Sequence, residues 1–134
     1  MELQVLQTLA SESLTELGLE IEGHFVDGDP AVDIVDPIAQ PPRLVAVITD
    51  HRTDRFSLRL AGYTFQDFAW EPADQRVVVG DYCKIVAGYL RGEGTYGVTP
   101  PLFGFLGRVR PTYSIVIDGT NYGAVAWDSG RTAT

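Results

Sequence analysis

The sequence predicts an α+β fold, in which an antiparallel β-sheet of about five to seven strands carries two helices packed on one face. Two segments have the apolar spacing of amphipathic helices, and the segments between them alternate between apolar and polar residues and are joined by turn residues. A chain of 134 residues with 45% hydrophobic residues is long enough for one core without disulfides. We therefore expect a single domain covering residues 1–134.

The first helix is predicted at residues 2–17 and the first strand at residues 20–26. Gly18 suits the left-handed position that follows a helix. Residues 20–26 alternate between acidic and apolar side chains, as a strand with one solvated face does. The helix is predicted from apolar residues that recur every three or four positions: Leu3, Leu6, Ala10, Leu14 and Leu17.

Residues 27–42 are predicted to form a long surface loop. The segment holds four prolines and four aspartates, and the prolines deny regular structure to most of it, leaving room for one short strand at 31–35. Loops of this length are uncommon in compact domains and often carry function. This loop is therefore the leading candidate for an interaction site.

Three more strands are predicted after the loop, at residues 43–49, 55–60 and 62–70. The first two form an antiparallel pair joined by a polar turn, and the third continues the sheet with aromatic side chains. Alternation within the second strand predicts which side chains face the core: Phe56, Leu58 and Leu60.

The second helix is predicted from Asp74, as its N-cap, to about residue 91, with Gly92 at the left-handed position after it. Residues 94–127 are predicted to return to strand, and a turn at 118–121 would make a hairpin of the last two strands.

The net charge of −8 is distributed unevenly along the chain. Residues 1–42 contain nine acidic residues and no lysine or arginine, whereas residues 43–134 contain nine acidic and ten basic residues. Concentrated negative charge attracts cationic partners and repels phosphate. We therefore expect a basic protein partner and no nucleic acid, with solubility as the alternative role of the charge.

Further features predict a cytoplasmic protein without membrane association. The longest uninterrupted apolar run, residues 44–48, is far too short to span a bilayer, and the N-terminus lacks the pattern of a signal peptide. A single cysteine, Cys83, excludes an intrachain disulfide and fits a reducing compartment. The use of nine arginines against one lysine points weakly to a bacterium.

Several patterns resemble functional motifs, but each has a simpler interpretation. The GxGxxG run at 92–97 follows a predicted helix rather than a strand, so a helix cap and a turn fit it better than a dinucleotide site. Calcium-loop spacing counted from Asp27 puts Val32 and Ile38 where glycine and glutamate are required.

The two histidines and the cysteine also give no firm site. His24, His51 and Cys83 are too few for a zinc or iron site without carboxylates, and Cys83 lies far in sequence from either histidine. We interpret His51 as a solvated turn residue, His24 as a structural group and Cys83 as a structural thiol. We therefore expect no cofactor, no metal and no enzymatic activity.

Residues 99–107 form a strongly apolar segment. As a strand it would be apolar on both faces, so one face would need a helix, a second chain or a ligand to cover it.

These observations favour a stoichiometric protein-binding protein that masks a basic functional site on a partner, by analogy with an immunity protein that inhibits a toxin. The predicted partner-binding residues are Asp27, Asp29, Asp33, Asp36, Asp50 and Asp54. Two alternatives stay open. One is a structural homodimer. The other is a small-ligand-binding module or simple enzyme, with an aromatic pocket between sheet and helices lined by Trp70, Tyr82, Tyr96, Phe103 and Trp127.

Overall fold

The computed structural model describes residues 1–99 and 109–126. In these ranges the helices are α1 at Leu3–Leu14, followed by a short 3-10 turn at Thr15–Leu17, and α2 at Pro72–Leu90. The strands are β1 Glu20–Val26, β2 Asp29–Asp36, β3 Arg43–Asp50, β4 Arg55–Leu60, β5 Tyr63–Phe68, β6 Thr95–Val98, β7 Pro111–Ile117 and β8 Thr120–Ala126. The α+β class is as predicted, and the strand number is slightly above the predicted range.

All the described strands belong to one antiparallel sheet with the order β1-β2-β3-β4-β5-β8-β7-β6. The first five strands form a meander, and the last three form a second one. Among the described residues the two meanders meet through two residue pairs, Tyr63 with Ala126 and Thr64 with Val125. Tight turns with positive φ at both central residues close several hairpins, as at Asp27 and Gly28, where φ is 51° and 84°. Such turns match the twist of the strands that they join.

The hydrophobic core lies between one face of the sheet and the two helices. Apolar side chains from both sources are fully or almost fully buried and form one cluster, which includes the predicted inward set of β4. The largest contributions from the helices come from Leu6, Leu14, Tyr82 and Ile85. Because both described helices pack on this face, the opposite face of the sheet carries no helix from residues 1–99 or 109–126.

The helix ends follow the predicted glycines, but the start of α2 does not follow the prediction. Gly18 and Gly92 have φ of 78° and 80°, and the amide of Glu93 donates to the carbonyl of Gly88 at 2.9 Å, which completes a Schellman cap. The predicted N-cap, Asp74, lies instead in the first turn of α2. The helix begins earlier because proline at the first helical position is already held at helical φ and has no amide hydrogen to satisfy.

The predicted loop at 27–42 was wrong for much of its length, although the short strand considered at 31–35 lies within an observed strand. Residues 27–28 are a two-residue turn, β2 occupies Asp29–Asp36, and only residues 37–42 connect it to β3. Val32 and Ile34 are fully buried in β2. Pro30 is tolerated because its nitrogen lies beyond the end of the β2–β3 pairing, which begins at Ala31.

Two sequence features lie wholly or mostly outside the described residues. The first is the apolar segment at 99–107, of which only Thr99 is described. The second is Trp127, the end of the predicted last strand. Within the described ranges, neither helix is both long enough and apolar enough to cross a membrane.

Candidate functional site

The face of the sheet opposite the helices is the candidate functional surface, and we call it the open face. Its side chains alternate along each strand with those of the core. On β4 the core side chains Phe56 and Leu58 are fully buried, while Arg59 is exposed on the open face. Charged and polar groups lie here on β1, β2 and β4, together with exposed apolar side chains such as Phe68 on β5 and Val116 on β7.

Acidic side chains dominate the open face at β1 and β2. The Asp27–Gly28 turn fixes the register so that Glu22 lies directly opposite Asp33. Glu20 lies two residues from Glu22 and therefore on the same face, and both glutamates are exposed. Among the described residues neither glutamate has a hydrogen-bonding or charged partner, so their charges remain available to a ligand.

Next to this acidic strip, at the end of the sheet that carries the 27–28 and 51–54 turns, lies a depression of about 330 Å³. Short polar contacts hold its walls. The Nε2 atom of His24 lies 2.7 Å from Oδ1 of Asp33, and Nε2 of His51 lies 2.7 Å from Oγ of Ser57. The lining residues are His24, Val26, Asp27, Asp29, Asp33, Val47, Thr49, His51, Ser57 and Arg59.

The electrostatic setting of His51 favours its neutral form. Burial lowers the pKa of His51 below its ordinary value of 6.5, and the nearby charge of Arg55 lowers it further. The carboxylates of Asp29 and Asp50 act in the opposite direction and do not overcome these effects. A neutral imidazole can either donate to Ser57 or accept from it, so this contact is satisfied in both tautomers.

The Ser57–His51 pair does not have the arrangement of a nucleophilic centre. Ser57 is only 5% exposed in the middle of β4. Among the described residues no group is hydrogen-bonded to the other ring nitrogen of His51, whereas a catalytic base is oriented by such a partner. The pair therefore acts as a polar link between the β3–β4 turn and the floor of the depression.

The depression also lacks the arrangement of a metal site in the part of the chain that the structure describes. His24 and His51 line the same depression, but no three histidine, cysteine or carboxylate side chains come together in a way that could hold an ion. Instead His24 contacts Asp33, His51 contacts Ser57, and Asp29 lies near Arg52.

The structure brings together three of the six predicted partner-binding residues, since Asp27, Asp29 and Asp33 line the depression. Asp29 lies on β2 with its Oδ1 atom 3.5 Å from Nε of Arg52. Asp36 lies at the other end of β2, roughly 24 Å away by strand geometry. There its carboxylate accepts a hydrogen bond from the amide of Ile38 at 3.1 Å.

The remaining two predicted residues occupy the turn end of β3 and β4. Asp54 lies in the turn with φ of 58°. Asp50 differs from the prediction because its side chain is only 5% exposed. Its carboxylate accepts hydrogen bonds from the Met1 ammonium at 2.7 Å and from the amide of Arg52 at 2.9 Å. Asp50 therefore stabilises the β3–β4 turn through these internal hydrogen bonds, and its charge is not exposed to a partner.

The predicted aromatic pocket between sheet and helices is not present among the described residues. Tyr82 is fully buried in the packed core, whereas Trp70 is 70% exposed and Tyr96 is 61% exposed. These three side chains therefore do not line one pocket. Phe103 and Trp127, the other two predicted members, lie outside the described residues.

The glycine-rich run at 92–97 has the structural role that the sequence favoured. Gly92 caps α2, and Gly94 has φ of 98° at a point where a Cβ atom would overlap the phenol group of Tyr113. Residues 95–98 then form β6. The glycines thus allow close packing against Tyr113, and they lead directly into a strand rather than into a helix that could receive a phosphate.

Sequence reasoning missed Glu20, Glu22 and both histidines as members of one surface. The available signal was the Asp27–Gly28 dipeptide, which is typical of a two-residue hairpin and would have set Glu22 opposite Asp33. Comparisons with protein-family models, with curated proteins and with solved structures found no match to this chain.

Proposed function

We propose that this chain binds a basic protein stoichiometrically, through the acidic strip and the adjoining depression of the open face, and thereby masks a functional site of that partner. The observation that supports this most directly is the position of Glu22 opposite Asp33 beside the exposed Glu20. Like charges in directly opposed cross-strand positions destabilise a sheet. A lysine or arginine of a partner placed between them would remove this repulsion.

The depression supplies a place for such a side chain to enter. Three carboxylates line it, those of Asp27, Asp29 and Asp33. Asp27 has no polar partner among the described residues, and Asp29 has only the long contact of 3.5 Å with Arg52. A guanidinium group that binds a carboxylate in a fork-like geometry makes stronger hydrogen bonds than this contact.

The uneven charge of the chain would also guide the encounter. The acidic groups lie on β1 and β2, at one edge of the sheet, whereas Arg55 and Arg59 lie on β4, in the middle of the sheet order. Charge of this kind accelerates association and fixes orientation, and both effects weaken with added salt. The analogy with immunity proteins that inhibit toxins rests on this mode of binding alone.

The test is affinity capture of the partner followed by titration with charge-neutralised variants. The test variant is Glu20→Gln with Glu22→Gln, and the matched control is Glu12→Gln with Glu16→Gln, which removes the same charge from exposed positions on the helical side. We expect the test variant to weaken binding at least about tenfold, and the control to change it less than about twofold.

Two results would count against the proposal. One is equal binding by both variants and the unmodified chain at low and high salt. The other is capture of an acidic protein or a nucleic acid in place of a basic protein, since neither would be drawn to paired carboxylates.

A further inference from the structure

The outer edge of β1 is an unprotected sheet edge in the part of the chain that the structure describes. β1 is the first strand in the sheet order, and it pairs on one side with β2 and on the other side with no described strand. Its seven residues contain no proline or lysine, and its pairing with β2 has no bulge. Phe25, on this strand, is 58% exposed. Proteins usually protect such edges because their free backbone groups can pair with another strand.

The turn at Asp27 and Gly28 determines which backbone groups of β1 point outward. In a two-residue hairpin the residues that flank the turn, here Val26 and Asp29, exchange hydrogen bonds. Alternation then directs the backbone groups of the even-numbered residues of β1 toward β2. The backbone groups of Ile21, Gly23 and Phe25 consequently point away from the sheet.

The sequence of β1 is complementary to itself in one antiparallel register. If Gly23 faces Gly23 of a second copy, Ile21 faces Phe25, and these residues carry the outward backbone groups. The same register places Glu22 opposite His24, on the open face. The two neighbouring registers, centred on Glu22 or on His24, fit less well, because they place Glu22 opposite Glu22 or His24 opposite His24 of the second copy.

We propose that two copies of this chain associate through their β1 edges, in the antiparallel register centred on Gly23, to form one continuous sheet. Ile21 of one copy would cover the exposed Phe25 of the other on the helical side. On the open face, Glu22 would meet His24, which already contacts Asp33 of its own chain. This inference does not depend on the proposed function, because it rests on the outward backbone groups of β1, although it shares the side chain of Glu22 with that proposal.

The register can be tested by disulfide cross-linking between two variants that each add one cysteine to the β1 edge. Glu22→Cys and His24→Cys would lie in a directly opposed pair without hydrogen bonds, where the Cα atoms are about 4.5 Å apart and a disulfide can form. We expect a cross-linked dimer when the two variants are mixed and oxidised, at least about tenfold more than either variant gives alone. A mixture of Glu20→Cys and His24→Cys is the matched control for the register centred on Glu22. The native Cys83 is buried and common to all samples.

The backbone contribution can be tested separately with Gly23→Pro and Gly23→Ala. Proline removes the outward amide hydrogen at the centre of the interface, whereas alanine keeps it, and both add a Cβ atom where the flexible side chain of Gln7 must move. We expect sedimentation across a dilution series to give a dimer for the unmodified chain and Gly23→Ala, and a monomer for Gly23→Pro.

Three outcomes would overturn the proposal. They are a monomeric unmodified chain at all concentrations up to the highest attainable, a dimer that persists in a folded Gly23→Pro variant, and cross-linking that is as strong in the control mixture as in the test mixture. If Gly23→Pro does not fold, the cross-linking result decides the matter alone.

Discussion

Glu22 on β1 and Asp33 on β2 lie directly opposite each other on the open face of the sheet, two carboxylates in adjacent cross-strand positions. His24 contacts the Asp33 carboxylate at 2.7 Å, and no described group does the same for Glu22. Such a pair costs folding stability, because like charges in opposed positions repel. Residues that reduce stability without serving the core are often retained for binding.

Neutralising Glu22 should therefore stabilise the folded chain. We expect Glu22→Gln to raise the free energy of unfolding by about 0.5 kcal/mol, the usual size of a cross-strand pair effect. The difference in the free energy of unfolding is measured by urea unfolding at low ionic strength. The protein concentration is chosen so that the variant and the unmodified chain have the same oligomeric state. Glu16→Gln, at an exposed position after α1, is the matched control and should change stability by less. A Glu22→Gln variant that is less stable than the unmodified chain would contradict the repulsion.

The folded chain should lose stability at mildly acidic pH through His51. Because its pKa is lowered by burial and by Arg55, the unfolded chain binds a proton at His51 more readily than the folded chain does. The contribution of His51 is therefore fully present above its ordinary pKa of 6.5 and is lost as pH falls below that value.

The measurement is urea unfolding at several pH values between about 7.5 and 5. His51→Gln should remove this component of the pH dependence, while His24→Gln, on the same depression, should keep it. The same acid slope in His51→Gln and in the unmodified chain would show that other groups are responsible.

The helices were predictable from the sequence because their signals are local. Apolar residues at helical spacing placed α1 and α2, and the glycines at 18 and 92 marked their ends in the left-handed conformation that only glycine adopts without strain. The start of α2 was missed because an N-cap aspartate and a proline at the first helical position are both common starting signals, and here Pro72 prevailed over Asp74.

Strand β2 was predicted only as a short strand at 31–35 within a loop, because the prolines of residues 27–42 were weighed by number rather than by position. Pro30 opposes Phe25 at a point where it is not required to donate a hydrogen bond to either neighbour, and the prolines at 41 and 42 lie beyond the strand. The buried Val32 and Ile34 alternate with Asp33, which is the ordinary pattern of a strand with one polar face.

The candidate site could be predicted only in part. Charge counting located the acidic third of the chain, and three of the predicted aspartates do line the depression. Two features of the site depend on the registers of β1, β2, β3 and β4. One is the position of Glu22 opposite Asp33, and the other is the position of His24 and His51 on the same depression. Register is set by how the whole sheet packs on its helices, so local sequence patterns specify it only weakly.

The thiol of Cys83 should react very slowly with thiol reagents in the folded chain. Cys83 is 1% exposed, and burial raises its pKa to about 11, with a smaller opposing effect of a hydrogen bond from Ser13. The thiolate is the reactive species, so both access and ionisation are suppressed at pH 8. We expect modification at least about a hundredfold slower than for the chain unfolded in urea. Equal rates in both states would show that α2 does not bury this side chain.

Tyr82 should make the fold sensitive to strongly alkaline pH. Its hydroxyl donates to Oδ2 of Asp67 at 2.7 Å, and burial, together with this hydrogen bond, raises its pKa well above the ordinary value of 10.0. Above pH 10 the unfolded chain therefore loses a proton that the folded chain keeps, and the free energy of unfolding falls as pH rises. At neutral pH the hydrogen bond contributes to stability without this penalty.

Tyr82→Phe separates the two effects. At pH 7.5 we expect a loss of about 1–2 kcal/mol, because the hydrogen bond is removed while the packing of the ring is kept. Between pH 10 and 11 the variant should lose stability less steeply than the unmodified chain, since one proton fewer is released on unfolding. Urea unfolding at both pH values gives the two slopes. If the free energy of unfolding of the variant falls equally steeply with rising pH, other tyrosines are responsible for the effect. Tyr122, whose pKa is also raised, would then be substituted next.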